Sequence, residues 1–189
     1  MLKEIVTETT DAVVAAVKGT DDILSAITGT VKNQVINVLK GTGEVASAGV
    51  DAVASVASGA MQAVGQVGAS ATSSAQEIMH GAIVGISETG GDIIGGIREA
   101  ARGVIQSTAE TGGDIAGVAV AAVEGTIKAA GEVGADTAEA AKAAVGGALD
   151  AAGDVGSDAG DRVRSALLSA AALPRDVIGS AIKGHDDKK

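Results

Sequence analysis

The segment Glu88-Thr-Gly-Gly-Asp92 recurs 22 residues later as Glu110-Thr-Gly-Gly-Asp114. Two further copies follow at the same interval, Glu132-Val-Gly-Ala-Asp136 and Asp154-Val-Gly-Ser-Asp158. Midway between the copies the aspartate position is held by a glycine, at Gly81, Gly103, Gly125 and Gly147. Tandem repetition of a unit this short is typical of an elongated repeat architecture rather than of a compact core.

A shorter period of 11 residues runs through the same chain. When positions are counted in elevens from Asp11, five of the eleven contain none of the 14 basic and 24 acidic residues except Lys188 and Lys189. Those five are neighbours on a helical wheel, because 11 residues make about three turns. They therefore form one continuous apolar stripe, as an amphipathic helix requires. Its large members, with their neighbours on the same face, are Ile23, Val45, Val56, Val67, Ile78, Ile83, Ile93, Ile94, Val104, Ile105, Ile115, Ile127 and Leu149.

The apolar stripe predicts an all-α fold of long amphipathic helices with 11- and 22-residue repeats. We expect it to be elongated, either continuous or folded back into a hairpin or bundle. The stripe stays in register through the Thr-Gly-Gly-Asp segments, which favours an unbroken helix there. The alternative is that these segments are turns in which Asp92 and Asp114 cap short helices, since Asp caps well and Gly-Gly breaks helices.

Small residues recur along one edge of the apolar stripe and predict a close helical neighbour. Glycines four residues apart let two helix backbones approach and recover dispersion energy. The candidate close-packing glycines are Gly81, Gly85, Gly91, Gly95, Gly113, Gly117, Gly156 and Gly160. Arg98, on the flank of the stripe, is a candidate partner for an acid on another helix. Aspartate at Ile94 or Ile105 should disrupt the stripe, whereas aspartate at Gly103, on the polar face, should be mild.

Composition points away from an ordinary globular core. The chain has 28 glycines, one proline and no Phe, Tyr or Trp, and aromatic residues dominate the energetics of most cores. We predict one repeat region over 1–183, with charge-poor 11-residue repeats at 11–80, 22-residue repeats at 81–160 and a closing segment at 161–183. Pro174 should kink or end the helix in that segment, and residues 184–189 should form a solvated tail.

No sequence feature predicts catalysis. Nucleotide, hydrolase and zinc-protease motifs are absent, and His80 and His185 lie far apart in the sequence without evident partners. Paired acids such as Glu88 and Asp92 fall short of the six to eight oxygens that Ca²⁺ takes. We therefore predict no enzyme, no cofactor and no metal site.

Charge and targeting features limit the partners. A net charge of −10 without a basic stripe disfavours nucleic acid. No signal peptide or membrane-spanning segment is apparent, so the localisation, otherwise unknown, is expected to be cytoplasmic by default.

At the level of the repeat, residues 11–183 resemble the 11-residue-repeat helical proteins, namely group 3 late embryogenesis abundant proteins and apolipoprotein- and perilipin-like proteins. The resemblance rests on the periodicity and on an apolar face rich in Ala, Val, Gly and Thr. It implies a helix that lies on a lipid surface or forms on drying. The residues themselves favour a structural protein whose helices self-assemble through the stripe into a bundle, fibre or coat, giving a homo-oligomer. Binding to neutral lipid or a membrane surface, or protection under stress, is the alternative.

Overall fold

A computed structural model describes residues 2–18, 22–41 and 46–187, with the side chains of 46–48 excepted. The described residues are helical apart from short connections, so the predicted all-α class is confirmed. The helices are α1 (Leu2–Lys18), α2 (Ile23–Gly41), α3 (Ala46–Val67), α4 (Ala71–Thr89), α5 (Ile93–Glu110), α6 (Ile115–Glu132), α7 (Thr137–Val155), α8 (Ser157–Ser169) and α9 (Arg175–Asp186).

The helices form two layers. Each helix packs most extensively on the helix two places along the chain, so α1, α3, α5, α7 and α9 make one layer and α2, α4, α6 and α8 make the other. Arg98 pairs with Asp150, and Arg102, one turn later, pairs with Asp154. Helices within a layer are therefore parallel, while consecutive helices alternate between the layers.

The Thr-Gly-Gly-Asp segments are turns, so the expected unbroken helix is wrong. Gly90 and Gly112 adopt φ near +70°, a left-handed conformation that glycine reaches without steric cost. The amide of Gly91 then donates to the carbonyl of Ile86 at 3.1 Å, which ends α4 in a Schellman-type arrangement. Gly68 and Gly134 adopt the same left-handed conformation in the flanking repeats.

In the first three copies of the motif, the closing aspartate caps the next helix, whereas α8 begins at Ser157 without a side-chain cap. Asp92 Oδ1 accepts from the Gly95 amide at 3.0 Å, and Asp114 Oδ1 accepts from the Gly117 amide at 3.2 Å. Asp136 accepts from two amides at the start of α7. Each carboxylate satisfies amides that the first helical turn leaves unpaired.

We expect Asp114→Ala to lower the free energy of unfolding by about 1 kcal/mol, because α6 loses its N-cap. Urea denaturation followed by circular dichroism measures the change. Glu110→Ala is the matched control, since Glu110 is the other acid of the same motif and lies exposed at the end of α5. A change below about 0.5 kcal/mol is expected there, and equal effects of the two variants would contradict the capping role.

The end of the chain agrees in part with the sequence-based prediction. Of the two outcomes expected at Pro174, the helix is interrupted rather than kinked: α8 ends at Ser169, and Pro174 occupies the position before α9. This position suits a residue that lacks an amide hydrogen. The predicted solvated tail is wrong at His185, because α9 continues to Asp186 and packs His185 against α7 with only 9% of the residue exposed.

Candidate functional site

The apolar stripe is largely covered by other helices of the same chain. Val56, Ile78, Ile83, Val104 and Ile105 are completely buried, and Leu149 is 2% exposed. The remaining members within the described residues pack on this core while partly buried: Ile23, Val67, Ile93, Ile94, Ile115 and Ile127. Val45 lies outside the described residues. The stripe therefore builds the interior between and within the two layers.

Five glycines allow neighbouring helices within a layer to pack closely against each other. Each faces a backbone carbonyl of the helix two places earlier, and a Cβ added to any of them would lie no more than 2.6 Å from that oxygen. The pairs are Gly59 with Val6, Gly81 with Thr28, Gly103 with Ala54, Gly125 with Gln76 and Gly147 with Arg98. Only a residue without a side chain permits so close an approach, so these contacts fix the register of neighbouring helices.

The predicted close-packing glycines divide into two groups. Gly81 and Gly85 pack against the backbone of α2 as expected. Gly91 and Gly113 belong to turns, Gly95 and Gly117 lie over the capping aspartates, Gly156 joins α7 to α8, and Gly160 makes only ordinary contacts. Gly59, Gly103, Gly125 and Gly147 are absent from the predicted set, although the 22-residue spacing of the last three with Gly81 is visible in the sequence.

The prediction that Gly103 lies on the polar face, where aspartate would have a mild effect, is therefore wrong. Gly103 is buried in α5, and its Cα faces Ala54 of α3. Its wheel position is shared with solvent-exposed residues such as Asp92 at the turns. At the middle of an inner helix the same flank meets the neighbouring helix of the layer.

Polar side chains bridge parallel helices on the outer surface of each layer. In one layer Gln76 Nε2 donates to Glu124 Oε2 at 2.7 Å, and His80 Nε2 lies 2.6 Å from Glu132 Oε2. In the other layer Arg98 pairs with Asp150, which confirms Arg98 as an interhelix partner. Exposed ion pairs contribute about 0–1 kcal/mol each, so these contacts specify alignment more than stability.

Both histidines have acidic neighbours that the linear sequence conceals. His80 on α4 meets Glu132 of α6, and His185 Nδ1 on α9 lies 3.6 Å from Asp150 Oδ1 of α7. The expectation that His80 has no partner is therefore wrong. Its partner lies 52 residues away, a separation that only the stacking of alternate helices brings together.

Two grooves lie beside the last two helices. One, of about 760 Å³, runs between the turn before α6 and the turn before α8, lined by residues 112–116, 155–159 and Arg162. The other, of about 420 Å³, lies between α5, α7 and α9 and carries Arg98, Lys142, Asp150 and His185. The glycine-to-carbonyl contacts stop at α7: Gly160 of α8 has no neighbouring atom closer than 3.9 Å, and Gly179 and Gly184 of α9 have none within 4 Å. The grooves thus occur where the close stacking ends.

The described ranges contain no group of three His, Asp or Glu side chains arranged to hold a metal ion. None of the helices in those ranges is both long enough and apolar enough to cross a membrane. Comparison with protein-family models and with curated protein sequences finds no match to this chain.

Proposed function

We propose that the chain is a non-catalytic structural protein, an elongated array of 22-residue helical repeats that associates end to end with further copies of itself. The observation that carries this proposal is the unequal covering of the apolar stripe. Within the part of the chain that the structure describes, inner helices have a neighbour on each side within their layer, whereas α1, α2, α8 and α9 have a neighbour on one side. Repeat arrays extend by adding such neighbours.

The inner helix α7 has more buried residues than the terminal helices α8 and α9. Eleven residues of α7 are buried, compared with two in α8 and four in α9. Among the described residues, the exposed large apolar side chains are Leu2 of α1, Leu24 of α2, Val155 at the end of α7 and Leu168 of α8. All of them lie in or next to the terminal helices. Contact between unlike ends of successive copies is heterologous, and such contacts generate rings or open filaments.

The test combines sedimentation velocity over a range of protein concentrations with circular dichroism. We expect a helical chain without lipid, with a mass that rises with concentration. Leu168→Glu should shift the protein towards monomer while its helicity is kept, because a charge replaces an apolar side chain that is 47% exposed. Ser169→Glu, an exposed position about 100° away round the same helix, should leave the assembly unchanged.

A wild-type chain that remains monomeric at all concentrations would refute end-to-end assembly. Neutral phosphatidylcholine vesicles provide the contrasting arm. A chain that is disordered in buffer and becomes helical only on these vesicles would replace the assembly proposal with lipid-surface binding. Helix formation only on drying would replace it with stress protection.

A further inference from the structure

The groove between α5, α7 and α9 has a chemical character unlike the rest of the molecule. It is lined by Arg98, Lys142 and His185, with one acid, Asp150. The whole chain carries a net charge of −10, whereas this groove has two cationic side chains, Arg98 and Lys142, for one carboxylate. The groove has a volume of about 420 Å³, which is ample for a small ligand.

Asp150 holds two of the basic side chains in place. It pairs with the Arg98 Nη2 atom from one side, and its Oδ1 lies 3.6 Å from His185 Nδ1 on the other. The guanidinium of Arg98 extends over Gly146, where a Cβ would lie 3.5 Å from Nη1. One carboxylate therefore orients the arginine and leaves its remaining donors available at the floor of the groove.

Comparison with the other repeats shows what opens the groove. Gly146 occupies the repeat position that holds Glu124 in α6 and Arg102 in α5, 22 and 44 residues earlier. Lys142 occupies the position that holds Val120 in α6 and Arg98 in α5. The repeat of α7 thus lacks a side chain at the floor of the groove and places a second cation at its wall, and both features favour an anionic ligand.

We propose that this groove binds the phosphate group of a small anion. A guanidinium offers a planar set of donors that matches phosphate oxygens, and an ammonium adds a mobile point charge. Arg98 and Lys142 supply these two groups, and Ser180 of α9 lines the same groove with a hydroxyl. The inference goes beyond the proposed assembly and does not depend on it, because all the lining residues belong to one chain.

Isothermal titration calorimetry of the full chain with inorganic phosphate, at constant ionic strength, measures the affinity and tests the proposal. We expect saturable binding that Lys142→Gln weakens about tenfold, since a charge-assisted hydrogen bond is worth about that factor in affinity. Lys142 is exposed, so its replacement should leave the helicity unchanged. Lys183→Gln is the matched control: Lys183 is an exposed lysine of α9 that does not line the groove, and we expect less than a twofold change.

A second arm separates a free phosphate from a lipid headgroup. Vesicles of phosphatidylcholine with phosphatidic acid are compared with phosphatidylcholine alone, using the same two variants. Binding of inorganic phosphate, or Lys142-dependent capture by the phosphatidic acid vesicles only, supports the site and identifies the source of the phosphate. Absence of binding in both arms, or equal weakening by Lys142→Gln and Lys183→Gln, would overturn the proposal.

Discussion

Gly103→Ala should lower the free energy of unfolding by about 3 kcal/mol, the upper part of the usual range for an overpacked core. The added methyl group would meet the backbone carbonyl of Ala54, which cannot move without moving α3. The helices α3 and α5 must then separate, and the apolar contacts between them weaken. Urea denaturation followed by circular dichroism gives the change directly.

The sign of this effect makes it diagnostic. In a helix, alanine is ordinarily more stable than glycine by about 1 kcal/mol. Gly29→Ala serves as the control, because Gly29 lies within α2 and an added Cβ would meet nothing within 4 Å. We expect Gly29→Ala to stabilise the protein. Stabilisation by both variants would show that the helices of a layer do not approach each other at Gly103.

The sequence predicts the helical class and the interior of the fold, but the register of its apolar stripe does not decide between the turns, offered as the alternative, and an unbroken helix. Residues 93–110 and 115–132 are each helical, and four residues connect them. Helix and turn together make 22 residues, two periods of 11, so the next helix begins at the same wheel position whether the intervening residues are helical or turned. The register of the stripe therefore contains no information that distinguishes a turn from a helix.

The contact positions on α1 and α2 are shifted along the helix relative to those on α3, α4 and α5, and the sequence pattern does not reveal this shift for a related reason. The residues facing Gly59 and Gly81 are Val6 and Thr28, whereas those facing the later glycines are Ala54, Gln76 and Arg98. The spacing from Thr28 to Ala54 exceeds the 22-residue repeat by four residues. Four residues turn a helix by about 400°, so the apolar face shifts by only about 40° and the pattern of charges survives.

The groove between α5, α7 and α9 could not be predicted from the sequence, because its residues belong to three helices. Arg98, Lys142 and His185 come together only when α5, α7 and α9 stack in one layer. Gly146 could be recognised as a departure from the repeat, but in a chain with 28 glycines one more has little meaning until its surroundings are known.

The second large effect is expected at the centre of the stripe. Ile105 is completely buried in α5, and Ile105→Asp should cost more than the roughly 2–5 kcal/mol of an isoleucine-to-alanine change. The variant loses the apolar contacts and also removes a carboxylate from water without supplying a partner. We expect the helical signal to fall even without denaturant, and limited proteolysis should cut the chain rapidly.

Ile94→Asp is the matched comparison for Ile105→Asp. It makes the same substitution in the same stripe and the same helix, so the two variants differ only in position. Ile94 lies in the first turn of α5 and is only partly buried, so water can reach the new carboxylate. A negative charge near a helix N-terminus also gains about 0.3–1 kcal/mol, so Ile94→Asp should remain folded with a reduced denaturation midpoint. A lone helix lying on lipid would expose both positions equally, and equal damage from the two substitutions would therefore contradict the stacked fold. A large difference is expected only if neighbouring helices of the same chain cover the stripe at Ile105 and leave its end at Ile94 partly open.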